Sequence, residues 1–211
     1  EGVQQRRSPR GDNPYFIAYG MSNGFQRDRI YGTLSLDYKL TDDLSLMIRH
    51  SMDSYNESRE SIVPFSADRM PKGHYSIADI FFQERNSDFL LSYNKVASDW
   101  DISVSGGGNI MNRQGASSSI SSGGDRRNGL VVPGLYNVSN IPLDNISVNS
   151  SQSEKAIYSL YALASIGYAG QIYLDVTGRN DWSSTLPEAN RSYFYPSASL
   201  SWLANYTFDL P

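Results

Sequence analysis

The sequence predicts an all-β fold, a segment of an antiparallel transmembrane β-barrel, on three observations. Apolar and polar residues alternate with period 2 along most of the chain. The connections switch between tight turns and long polar segments. Aromatic residues gather at one end of the apolar faces, as they do where lipid tails meet headgroups.

The alternation defines the elements in order. A first strand carries Ile30, Leu34, Leu36, Tyr38 and Leu40 on one face, with Tyr31, Thr33, Ser35, Asp37 and Lys39 on the other. After Thr41-Asp42-Asp43, a second sets Leu44, Leu46, Ile48, His50 and Met52 against Ser45, Met47, Arg49, Ser51 and Asp53. A third ends in Phe89, Leu91 and Tyr93, and a fourth begins with Trp100, Ile102 and Val104. The fifth reads Tyr158, Leu160, Ala162, Ala164, Ile166 and Tyr168 against Ser159, Tyr161 and Ser165. The sixth sets Ile172, Leu174 and Val176 against Tyr173, Asp175, Thr177, Arg179 and Asp181, and a seventh alternates Ala198, Leu200 and Trp202 with serines. No helix is expected. Thr41–Asp43, Val96–Asp99 and Ala169–Gln171 read as tight turns, whereas Ser54 to Arg85, Arg113 to Glu154 and Trp182 to Tyr193 read as loops. Short turns at one end and long loops at the other put the turns on the periplasmic side of an outer membrane.

Composition agrees with a wall rather than a globule. Hydrophobic residues make up 39% of the chain and charged residues 19%, too few for a thick conventional core. A net charge of −4, with no Lys/Arg run, gives no nucleic-acid footprint. Without cysteine there are no disulfides and no Cys-based zinc sites. No apolar run approaches the roughly 18 residues of a transmembrane helix. The negative mean hydropathy does not argue against a barrel, because lumen-facing positions dilute the apolar signal. Seven strands cannot close without leaving unpaired edges in lipid, so both ends read as cut from a longer chain.

Parity assigns candidate roles. Tyr38, Tyr93, Trp100, Tyr168 and Trp202 share apolar-face parity near the tight turns and are expected at the lipid interface. Arg49, Asp53, Tyr161, Tyr173, Asp175, Arg179 and Asp181 are expected to face the lumen, most of them toward a plug or water rather than substrate. Tyr55, Tyr136, Trp182 and Tyr193 fall in the expected loops, where they would stack on a sugar, meet a partner or pack loop against loop.

No catalytic residue, metal ligand or cofactor is expected. His50 and His74, the only histidines, lack a partner pattern such as H-E-x-x-H, and no G-x-S-x-G elbow occurs. Gly106-Gly107-Gly108 lacks the Lys and helix of a phosphate loop and reads as a kink or close packing. Asp125 and Asp144 lack calcium-loop spacing, and Arg10-Gly11-Asp12 has no special context.

Four segments, in order, resemble landmarks of the SusC/RagA group of TonB-dependent transporters. They are Asn13-Pro14-Tyr15-Phe16 leading to Arg29-Ile30-Tyr31-Gly32, Val132-Pro133-Gly134-Leu135-Tyr136 with Ser139-Asn140, Gly178-Arg179-Asn180-Asp181-Trp182-Ser183-Ser184, and Tyr193-Phe194-Tyr195-Pro196-Ser197 running to Trp202. The resemblance implies that residues 1–211 belong to a barrel of about twenty-two strands, with plug, TonB box and signal peptide lying elsewhere. It further implies a bacterial outer-membrane location and import of glycan oligomers or peptides. The implied partners are a SusD-like surface lipoprotein, outer-membrane lipid and, through the missing N-terminal region, the TonB complex. The competing expectation is a soluble extracellular β-sandwich that binds carbohydrate and buries the Leu34/Leu36 face against a second sheet.

Overall fold

A computed structural model describes residues 3–5, 11–123, 129–204 and 208. They form one seven-stranded sheet whose strands neighbour one another in chain order. The strands are β1 (Ser22–Lys39), β2 (Leu44–Phe65), β3 (Lys72–Ala97), β4 (Trp100–Ser122), β5 (Ile146–Tyr168), β6 (Ile172–Ser183) and β7 (Ser192–Trp202). The three tight connections fall where the sequence places them. Between β5 and β6, Ala169 and Gly170 both take positive φ, and Gln171 N donates to Tyr168 O at 2.9 Å. Two consecutive positive φ values at the centre of this β-turn give it a twist that matches the strands it joins.

Two expectations are corrected. The segments from Ser54 to Arg85 and Arg113 to Glu154 are mostly strand: β2 runs to Phe65, β3 starts at Lys72, β4 runs to Ser122 and β5 starts at Ile146. The connections shrink to 66–71 and 123–145. Over 54–61 and 114–119 the side chains are mostly polar on both faces, so alternation carries little contrast there although the backbone stays extended. At 26 residues, β3 is roughly 86 Å long at about 3.3 Å per residue, more than twice what a bilayer needs. The second correction is a short helix, α1 (Pro14–Gly20). Asn13 caps it by accepting from Tyr15 N at 2.9 Å, and Pro14 fills the first turn, where its missing N–H costs nothing.

The chain divides into two compact units. A loop-end unit comprises Glu1–Ile30, Ser54–Phe82 and Gln114–Ser153; a turn-end unit comprises Tyr31–Asp53, Gln83–Arg113 and Glu154–Pro211. The loop-end unit has a small core in which Tyr75, Leu130 and Ile141 are buried and Ile62, Ile77, Ile120, Tyr136, Val138 and Ile146 pack around them. Its strand members have apolar-face parity, so the 129–145 connection folds over that side. Asn140, 4% exposed, holds the connection's shape. Its Nδ2 donates to Val132 O (2.7 Å) and Leu135 O (2.6 Å), and its Oδ1 accepts from Val132 N (2.9 Å). Gly134, at φ +80, supplies the left-handed residue after Pro133 that this tight Val132–Leu135 turn requires.

Among the described residues of the turn-end unit, no second layer covers the apolar side. Leu34, Leu36 and Leu200 are 79%, 62% and 71% exposed. The described residues form a single sheet, not a sandwich.

Candidate functional site

The β5–β6–β7 register sorts the turn-end unit into two faces. One carries the rows Ser159–Asp181–Tyr193, Tyr161–Arg179–Tyr195, Ser165–Asp175–Ser199 and Gly167–Tyr173–Ser201. The other carries Tyr158–Trp182–Ser192, Leu160–Asn180–Phe194, Ala164–Val176–Ala198, Ile166–Leu174–Leu200 and Tyr168–Ile172–Trp202. Tyr161, Tyr173, Asp175, Arg179 and Asp181 therefore share the polar face.

Three ion-paired groups stand on that face. Arg179 Nε donates to Asp181 Oδ1 at 2.8 Å and its Nη2 to the buried Ser159 Oγ at 3.0 Å, while its guanidinium lies 5.7 Å from the centre of the Tyr161 ring. Gly107 leaves room for that ring, since a Cβ there would stand 2.9 Å from Tyr161. Arg49 Nε pairs with Asp88 Oδ2 at 3.2 Å, and Asn109 Nδ2 donates to Asp88 Oδ1 at 2.7 Å. Arg113 pairs with Glu84, which also accepts from Asn86. Asp88, Asn109, Glu84, Arg113 and Ser159 were missing from the sequence-level set. Asp88 had the right parity, but its partners stand on other strands. Asp53 lies in β2, half-buried. Each group balances one cation with one anion.

The loop-end unit adds a cleft of about 380 Å³ on β1–β3, lined in part by Phe25, Arg27, Glu57 and Arg59. Arg27 and Arg59 both bond the Glu57 carboxylate, which is 3% exposed. The bond from Arg59 is the main influence holding that carboxyl below its usual range; burial pushes the other way. Arg27 also lies 4.7 Å over the Tyr55 ring, which stacks on Phe82 at 5.2 Å. With Glu60 also on its wall, two guanidiniums face two carboxylates and the cleft is formally neutral.

Three of the four expected loop aromatics are corrected. Tyr55, Trp182 and Tyr193 are strand residues of β2, β6 and β7. Trp182 shares a row with Tyr158 on the apolar face, and Tyr193 pairs with Asp181 on the polar face. Tyr136 does lie in a connection, packed against the loop-end core. His74 Nδ1 meets Ser122 Oγ at 2.8 Å, and burial pushes its imidazole down. His50, on the apolar side, meets Ser87 Oγ at 2.9 Å. Asp12 links the N-terminal segment to the 66–71 connection by accepting from Asp68 N at 2.7 Å. Arg10 and Asp125 lie outside the described residues.

The apolar face has aromatic rows at two levels. Trp100 and Tyr168 stack at 4.6 Å, and Tyr168 begins the row that ends in Trp202. Tyr158 and Trp182 lie ten positions further along β5. Ten residues span about 33 Å of strand, and a tilt of about 40° leaves about 25 Å, the height of the apolar band on an outer-membrane barrel. Tyr38 and Tyr93 are exposed near the turn ends of β1 and β3.

Comparisons with known proteins agree with this geometry. The family described as TonB dependent receptor-like, beta-barrel matches residues 2–210. A structure of the RagAB peptide transporter superposes with a TM-score of 0.77 at 19% identity, covering 93% of this chain and 22% of the other. The RagAB peptide importer in its "closed-closed" state gives 0.76 at 19% identity, covering 89% and 21%. The chain thus spans about a fifth of those chains' length. No curated protein matches. With nearly all its residues matched, the chain belongs to the TonB-dependent receptor β-barrel family.

Proposed function

We propose that this chain supplies wall strands to a SusC/RagA-type importer in the bacterial outer membrane. The observation that carries the reading is the division of the turn-end sheet. One side is an apolar face between aromatic rows, and the other holds the Arg49, Arg113 and Arg179 ion-paired groups. Lipid suits the first side and a water-filled passage or plug the second. Tyr38, Tyr93, Trp100, Tyr168 and Trp202 serve as the periplasmic belt. Arg49, Asp53, Tyr161, Tyr173, Asp175, Arg179 and Asp181 face the lumen, joined by Tyr193.

The cargo is a polar oligomer, a peptide or a glycan, received from a SusD-like surface lipoprotein. The TonB complex drives uptake through parts of the protein beyond these strands. The ordered sequence landmarks and the likeness to RagAB structures support this reading. The barrel performs no covalent step. A soluble sandwich is disfavoured because Leu34 and Leu36 meet no second sheet.

Deleting the full-length gene tests the proposal. The protein is expected in the outer-membrane fraction, and its loss should abolish uptake of one oligomer class, as should loss of the TonB complex. Recovery from a soluble fraction, or unchanged uptake of both peptides and glycans, overturns it.

A further inference from the structure

We propose that the apolar face of the turn-end unit holds a seat for one acyl chain of a membrane lipid, in a groove that crosses β3 to β6. The groove measures about 380 Å³ and is lined chiefly by Phe89, Gly108, Ile110, Tyr158, Leu160 and Trp182. Gly108 lets the walls close in: a Cβ there would stand 2.8 Å from the Phe89 ring and 3.2 Å from Leu160 Cδ2, so both side chains lie against bare backbone. The walls come from β3, β4, β5 and β6, each flanked on both sides by other strands of the sheet. No further strand is needed to complete them.

The lining selects the occupant. A groove this size reaches the lower range of small-ligand sites. A polypeptide segment laid in it would leave N–H and C=O groups unpaired against apolar walls, at several kcal/mol each. An acyl chain has no such groups. The rim suits the polar end of the same molecule, because Tyr158 and Trp182 stand side by side with a hydroxyl and an indole N–H. Ser87, bonded to His50, forms another polar edge. This rim lies at the aromatic level remote from the tight turns, where headgroups and esters begin. Further toward the tight turns, the Ile166–Leu174–Leu200 row continues the apolar surface.

The inference rests on the reading that this face meets lipid. Full-length protein purified in dodecyl maltoside is mixed with micelles containing palmitoyl-oleoyl phosphatidylethanolamine, and retained lipid is counted by native mass spectrometry. One lipid should remain on the wild type through detergent exchange. Ile110→Trp, or Leu160→Trp from the opposite wall, should retain it roughly ten-fold more weakly. Leu174→Trp, on the same face outside the groove, should retain it fully. Equal retention by wild type and groove variants overturns the seat, as does equal loss in Leu174→Trp. Protein that binds no lipid in any form and stays monodisperse without detergent overturns the membrane reading as well.

Discussion

The same side of the strands has two different covers in the two units. In the turn-end unit, Leu34, Val176 and Leu200 are exposed, and among the described residues their neighbours are those of the sheet itself. In the loop-end unit, Ile62, Tyr75, Ile120 and Ile146 have matching parity but lie under Leu130 and Ile141 of the 129–145 connection. Strand backbone runs through both sets of residues, so the difference lies outside the backbone. Apolar–polar contrast in a strand records its surroundings, lipid against water in one region and water with a little protein in the other.

The largest expected effect tests that contrast directly. Val176 lies between the two aromatic rows, and Val176→Arg should cost about 2–4 kcal/mol in urea-dependent refolding of the full-length protein into vesicles. Val148→Arg, on the same side of β5 in the loop-end unit, should change stability by less than about 0.5 kcal/mol. Equal losses would erase the distinction between the units. Next in size, Leu130→Ala removes a buried side chain at a cost of about 2 kcal/mol, felt by the connection rather than the wall. Limited proteolysis should cut faster within 129–145 while barrel melting stays put; a matching drop in melting temperature would show that the two regions open together.

The smallest effect is electrostatic. The depressed Glu57 carboxyl contributes stability that is fully present above its ordinary value of 4.5 and is lost as pH falls through the lower folded value. Hydrogen exchange of β1 and β2 amides near Arg27 and Arg59 should therefore accelerate on acidification below about pH 4, and Glu57→Gln should flatten the response. An unchanged pH profile in the variant would assign the effect to other groups.

How far the sequence could be read follows from the same physics. All seven strands and the tight turns were legible, because one face of each strand is apolar over part of its length. The extensions of β2 to Phe65 and β4 to Ser122 were not, since Asn56, Ser58, Gln114 and Ser118 look alike in a strand or a loop. Tyr55 was misplaced with them. Helix α1 is too short for periodicity to register and left only its Asn13-Pro14 signature. On the polar face, parity found Arg49 and Arg179, but the pairing of Arg49 with Asp88 depends on register, which a single strand's alternation does not encode.

One amide side chain dictates the course of the backbone around Val132 and Leu135. Side chains that point away, such as those of Val131 at 65% and Leu143 at 93% exposure, take no part in that bonding, even though Val131 N donates to Asn140 O. Mutations can therefore alter what this ledge displays while its outline stays constant. Asn140 acts as the peg of an interchangeable badge, and variation among related chains should collect around it rather than at it.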